Sequence, residues 1–86
     1  MHRTTDQFRR RFKTLPRHIQ QLSRRDFQLL KDNPHHPSLH FKKVGNLWSV
    51  RIGLDYRALA IQEGQDFIWV WIGTHDEYDR MISKAN

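Results

Sequence analysis

Apolar residues recur at helical spacing in the first third of the chain and switch to alternation after residue 38. Phe8, Phe12 and Leu15 share one face of a helix. Thr4-x-x-Gln7 has the pattern of a capping box and predicts where that helix opens. Pro16 stops it and suits the first turn of a second helix. The second helix carries Ile19, Leu22, Phe27, Leu29 and Leu30 on its buried side and ends near Asn33-Pro34. Two prolines, Pro34 and Pro37, hold the next segment extended as a turn. From there Leu39 and Phe41 face one way and His40 and Lys42 the other. Gly45-Asn46 breaks this run. Trp48, Val50 and Ile52 then alternate with Ser49 and Arg51, as in a half-buried strand. Gly53-Leu54-Asp55 reads as a hairpin loop into a strand from Tyr56 to Ile61. Phe67–Ile72 is apolar on both faces and reads as a central strand. Thr74-x-x-Glu77 is a second capping box, opening a short last helix to about Lys84 with Tyr78, Met81 and Ile82 as its stripe. A strand within residues 1–3 is too short for the pattern to identify.

These elements predict one α+β domain spanning residues 1–86, with two N-terminal helices packed on an antiparallel sheet of about four strands and a short C-terminal helix. At 86 residues the chain has room for one small core. It contains no cysteine, which excludes disulfides, zinc-thiolate sites and thiol nucleophiles. No apolar run approaches the roughly 20 residues of a membrane helix, so the expectation is a soluble, cytoplasmic protein.

Charge changes the picture. The chain carries a formal +6, unevenly spread. Residues 1–57 hold 13 Lys/Arg against 4 acids, and the remainder holds 2 against 5. Such a basic surface attracts polyanions by counterion release and equally suits an acidic protein partner. Arg9, Arg10, Arg11, Arg24 and Arg25 are otherwise the solvated faces of two helices.

Arg51 and Arg57 are the most informative pair. If residues 53–55 form a three-residue loop, Ile52 pairs with Tyr56 and the two arginines stand opposite each other on one face. Like charges so placed repel unless an anion or a carboxylate lies between them. The forked guanidinium suits a phosphate well. A two-residue loop places them on opposite faces, as solvated sheet arginines. His75 and Tyr78 project from neighbouring turns of the last helix, a proton-transfer and a base-stacking candidate. The plainer alternatives are a surface histidine and a core tyrosine. Lys42 and Lys43 add a cationic element, one of them directed to the arginine face. His35, His36 and His40 sit beside two prolines with no carboxylate spaced to complete a metal site, and no metal is expected there. No glycine-rich phosphate loop or nucleotide motif occurs, so no cofactor is expected.

The blocks Trp48-Ser49-Val50-Arg51-Ile52, Tyr56-Arg57-Ala58-Leu59 and Gly73-Thr74-His75-Asp76-Glu77-Tyr78-Asp79 are the specific part of a resemblance that spans nearly the whole chain. The sequence resembles the RelE/ParE-superfamily toxins of bacterial type II toxin–antitoxin pairs. The resemblance implies a metal-independent endoribonuclease that cleaves messenger RNA, usually on the ribosome, by 2′-hydroxyl attack on the adjacent phosphate. It implies Arg51 and Arg57 as the phosphate clamp, His75 in proton transfer, Tyr78 stacking or assisting, and Lys42 or Lys43 contacting RNA. It also implies a cognate antitoxin, expected to be acidic and partly disordered. The general base is left unassigned, because known members use lysine, arginine and tyrosine sets or several histidines. This chain has one histidine in its C-terminal half. A branch of the superfamily poisons DNA gyrase without RNA cleavage, and an inactive homologue retained as an antitoxin partner is a third possibility.

Overall fold

The computed structural model describes residues 1–85. Its elements run β1 (His2–Thr4), α1 (Asp6–Thr14), α2 (Arg17–Asp32), β2 (Lys42–Val44), β3 (Leu47–Ile52), β4 (Tyr56–Glu63), β5 (Asp66–Thr74) and α3 (His75–Ala85), with a 3-10 turn at Pro37–Leu39 before β2. The sheet has five strands in the order β1-β5-β4-β3-β2. Four form the expected antiparallel meander, and β1 adds a fifth, parallel to β5. This strand is invisible to periodicity because three residues show no pattern; its position is set by distant partners, with Phe67 N donating to Met1 O at 2.8 Å and Thr5 N to Trp69 O at 3.1 Å.

Helices α1 and α2 cover one face of the sheet. Phe8, Leu30, Leu39, Val50, Ile52, Ala58, Ala60, Trp69 and Ile72 form the core between them. Helix α1 opens one residue later than the sequence pattern predicts. Thr5 is the cap, its hydroxyl accepting from Phe8 N at 3.1 Å, while Thr4 belongs to β1. The strand beginning at Leu39 also starts later, at Lys42, because Leu39 closes the 3-10 turn.

The centre of α2 holds a surprise. Ser23 and Asp26, both polar, are buried on its inner side. Asp26 Oδ2 accepts from Gly53 N at 3.0 Å and so fastens the β3–β4 loop to the helix. Gly53 lies at φ +59, and a Cβ there would sit 2.3 Å from Leu22 Cδ2. The positive φ favours glycine here, and a Cβ would also require the Leu22 side chain to shift. This fastening sets the hairpin geometry on which the site depends.

On the opposite face α3 packs Tyr78 against Leu59 and Trp71. Its capping box is complete: Thr74 Oγ1 accepts from Glu77 N at 3.2 Å, and Glu77 Oε1 accepts from Thr74 N at 3.0 Å. Arg11 is no solvated helix residue. Its Nε donates to Ile72 O at 2.7 Å, it meets Glu77 Oε2 at 3.2 Å, and its guanidinium lies 5.1 Å from the Trp71 ring centre. Helix α1, strand β5 and helix α3 are thus held by one side chain.

Candidate active site

The three-residue loop sets the register. Ile52 pairs with Tyr56 and Arg51 with Arg57, so the two arginines face each other across the β3–β4 ladder on the α3 side of the sheet. Gly73 pairs with Arg57 on β5 and offers no side chain between it and α3. The strand ends and the start of α3 therefore converge at one end of the sheet.

Arg57 is 9% exposed, a rare degree of burial for arginine. Its guanidinium lies over the Tyr78 ring, 5.0 Å from the centroid, and Nη1 makes a long 3.5 Å contact with the Ser49 hydroxyl. Nε is buried without a partner. Among the described residues no carboxylate pairs with either Arg51 or Arg57. A buried donor left unmatched costs about 1–3 kcal/mol, against about 0.5–2 kcal/mol recovered from the aromatic face. Two cations opposed in register on neighbouring strands, neither paired with a carboxylate among the described residues, suit an anion such as a phosphodiester.

Ser49 is fully buried on the same face, and Lys42 pairs with it across β2–β3. Lys42 thus shares the arginine face at the sheet edge. Lys43 pairs with Trp48 and belongs to the helix-covered side. Tyr78 is 7% exposed and packs as core, with one ring face under Arg57. His75 occupies the first position of α3, its N donating to Asp55 O at 2.7 Å, with its ring 6.1 Å from that of Tyr78. Its Nδ1 is 3.1 Å from Asp79 Oδ2, one helical turn on. A carboxylate at this distance accepts from an Nδ1–H and orients the imidazole. The i,i+4 spacing of His75 and Asp79 was a readable signal for that pair.

His40 is the residue whose place has no sequence signal. It adopts φ 44 and ψ 43, the one non-glycine left-handed conformation among the described residues. That costs about 1 kcal/mol or more for an L-residue. Leu39, buried in the core, and Phe41, stacked on Trp48 at 4.9 Å, fix the chain on either side. The turn brings His40 Nε2 to 3.5 Å from Arg51 Nη1.

Of the other histidines, His36 caps the 3-10 turn, its Nδ1 meeting Ser38 N and Oγ at 3.2 and 2.8 Å. His35, His36 and His40 are not brought together as metal ligands. Among the described residues, the group whose ligand atoms lie within 4.8 Å of one another is His75, Asp76 and Asp79, at the start of α3.

Away from this site, α1, α2 and β1 enclose an apolar groove of about 520 Å³. Phe8, Phe12, Phe27 and Trp69 form its walls, and Arg9, Lys13, Arg24 and Lys31 rim it.

The fold has known relatives. It is similar to a chain of the RelB–RelE antitoxin–toxin complex from Methanococcus jannaschii, at 19% identity and a TM-score of 0.70 over 91% of this chain and 96% of that one. It is similar to a chain of the RelBE2 toxin–antitoxin complex from Mycobacterium tuberculosis, at 20% identity and 0.66 over 87% and 96%. YafQ from E. coli gives 13% and 0.67 over 91% and 96%. These likenesses are of fold alone. Residues 17–80 match the family described as the ParE-like toxin domain, and the chain belongs to that family. No curated protein sequence matches it.

Proposed function

We propose that the chain is the toxin of a type II toxin–antitoxin pair and that it acts as an endoribonuclease on messenger RNA, in the cytoplasm and on the ribosome. The observation that carries this reading is the opposed Arg51–Arg57 pair, two cations without a carboxylate, one buried on an aromatic face. Cleavage by 2′-hydroxyl attack passes through a phosphorane with extra negative charge. Fixed guanidiniums that meet this charge stabilise the transition state more than the ground state. In this reading Arg51 and Arg57 grip the phosphate, Tyr78 supports Arg57, and Lys42 holds a neighbouring phosphate. His75, oriented by Asp79, transfers a proton. The charge that a metal would supply is provided by side chains, so the reaction as drawn needs no cofactor.

The groove between α1 and α2 supports an antitoxin that is acidic and partly disordered. Its apolar side chains fill the aromatic trough while its carboxylates meet Arg9, Lys13, Arg24 and Lys31.

The test is induction of the protein in cells lacking the partner, with 5′ ends of a reporter message mapped by primer extension. The same mapping is made on purified RNA with and without ribosomes. New ends confined to translated regions and absent from naked RNA are expected. Growth arrest with intact messages and a DNA-damage response overturns the endonuclease reading in favour of gyrase poisoning.

A further inference from the structure

We infer that His40 is the general base of the cleavage reaction and works opposite His75 as general acid; this rests on the endonuclease reading above. The geometry points to it in three ways. His40 is held in a left-handed conformation that brings its imidazole to Arg51, and backbone strain of this kind is concentrated at functional sites. His40 Nε2 is the ring nitrogen that faces Arg51, and a guanidinium, which has donors only, meets it as an acceptor when the ring proton is on Nδ1. At 3.5 Å the contact is long, and Arg51 can turn to a phosphate without leaving a strong bond behind.

The two imidazoles stand at opposite ends of one row of contacts. His40 meets Arg51, Arg51 is the cross-strand backbone partner of Arg57, Arg57 lies over Tyr78, and Tyr78 neighbours His75. In this inference a phosphate gripped by the arginines meets His40 on one side and His75 on the other, as in-line displacement needs. His40 Nε2 takes the proton of the 2′-hydroxyl as the O2′–P bond forms. The P–O5′ bond breaks on the far side, and His75 gives its proton to O5′. The products are a 2′,3′-cyclic phosphate and a 5′-hydroxyl, with one proton accepted and one donated. Asp79 is a positioning residue that meets His75 Nδ1 at 3.1 Å and orients its ring.

The experiment uses single-turnover cleavage of a labelled message on programmed ribosomes. Asparagine tolerates the left-handed backbone, so His40→Asn keeps the turn and removes the base. Cleavage is expected to fall about 10²- to 10⁴-fold, with thermal unfolding unchanged. His40→Gly relieves the strain, and added imidazole is expected to restore part of its rate, a rescue that a purely structural role would not give. A second message with sulfur at the scissile 5′ bridging position separates base from acid, because a thiolate leaves without protonation. His75→Gln is expected to regain most of its rate on this substrate and His40→Asn is not. Wild-type rates in both His40 variants overturn the role of His40; recovery of His40→Asn on the sulfur substrate overturns its assignment as base. A wild-type protein that cleaves nothing removes the endonuclease reading and this inference with it.

Discussion

Arg57 is held in place by packing that does not satisfy it. A guanidinium over Tyr78, with Nε unpartnered, is an arrangement that folding alone does not favour, because a hydrophobic side chain of similar length would lose nothing there. Arg57→Met is therefore expected to keep or raise the free energy of unfolding, by up to about 1 kcal/mol, measured by urea denaturation. A loss above about 1 kcal/mol would show that the arginine is structural. The pairing of Arg51 with Arg57 was legible in the sequence, since a loop of three residues sets which side chains face each other. The division between Lys42 and Lys43 was not, because both strand registers satisfied the pattern. His40 was beyond reach for a physical reason: nothing local favours a left-handed histidine, and it is imposed by the anchoring of Leu39 and Phe41 on either side.

At the scale of elements, α3 depends on its first turn. Thr74 and Glu77 satisfy each other's backbone donors, and Arg11 ties Glu77 to α1. Thr74→Ala is expected to cost about 1 kcal/mol, read as a lower unfolding midpoint. The backbone N–H of Thr74, with its hydroxyl and Arg11, holds the Glu77 carboxyl below its ordinary value of 4.5. Burial, with the N-terminal amine and Lys31, pushes His2 below 6.5. In both cases the unfolded chain binds protons that the folded one does not, so stability rises with pH through the interval between the two values. Stability should then be full above about pH 6.5, decline first as His2 titrates, and fall again below pH 4.5 as Glu77 does. Glu77→Gln is expected to flatten the lower step in urea titrations across pH; an unchanged step would assign it to other carboxylates. The capping box at Thr74 was readable because its partners are three residues apart. That of α1 was misplaced by one residue because Gln7 completes a box pattern with Thr4, and only pairing with Trp69 draws Thr4 into the sheet. Strand β1 and the buried Asp26 likewise owe their places to contacts made across the chain.

Over the whole molecule the charge divides into two uses. Arg51 and Arg57 are opposed on the face covered by α3, while Arg9, Lys13, Arg24 and Lys31 of α1 and α2 rim an aromatic groove on the other side. An antitoxin that fills the groove should lose affinity about tenfold or more with Arg24→Glu, and further with Phe12→Asp, in titration calorimetry at fixed salt. The isolated protein's proposed RNA-cleaving activity should be retained in both, since neither residue belongs to the arginine face. Loss of activity with intact antitoxin binding would reverse the two assignments. The overall basic charge and the order of elements were evident from the sequence, but the groove was not. It forms where two helices and an edge strand meet and leave Phe12 and Phe27 partly uncovered, a property of packing rather than of any one segment.

The central claim is that the arginine face breaks RNA. The most direct test compares induced wild-type protein with Arg57→Met, each without antitoxin, by mapping the 5′ ends of a translated message. New ends with the wild type and none with a folded Arg57→Met protein are the predicted result. Arrest of growth by both proteins, with every message intact, would contradict it.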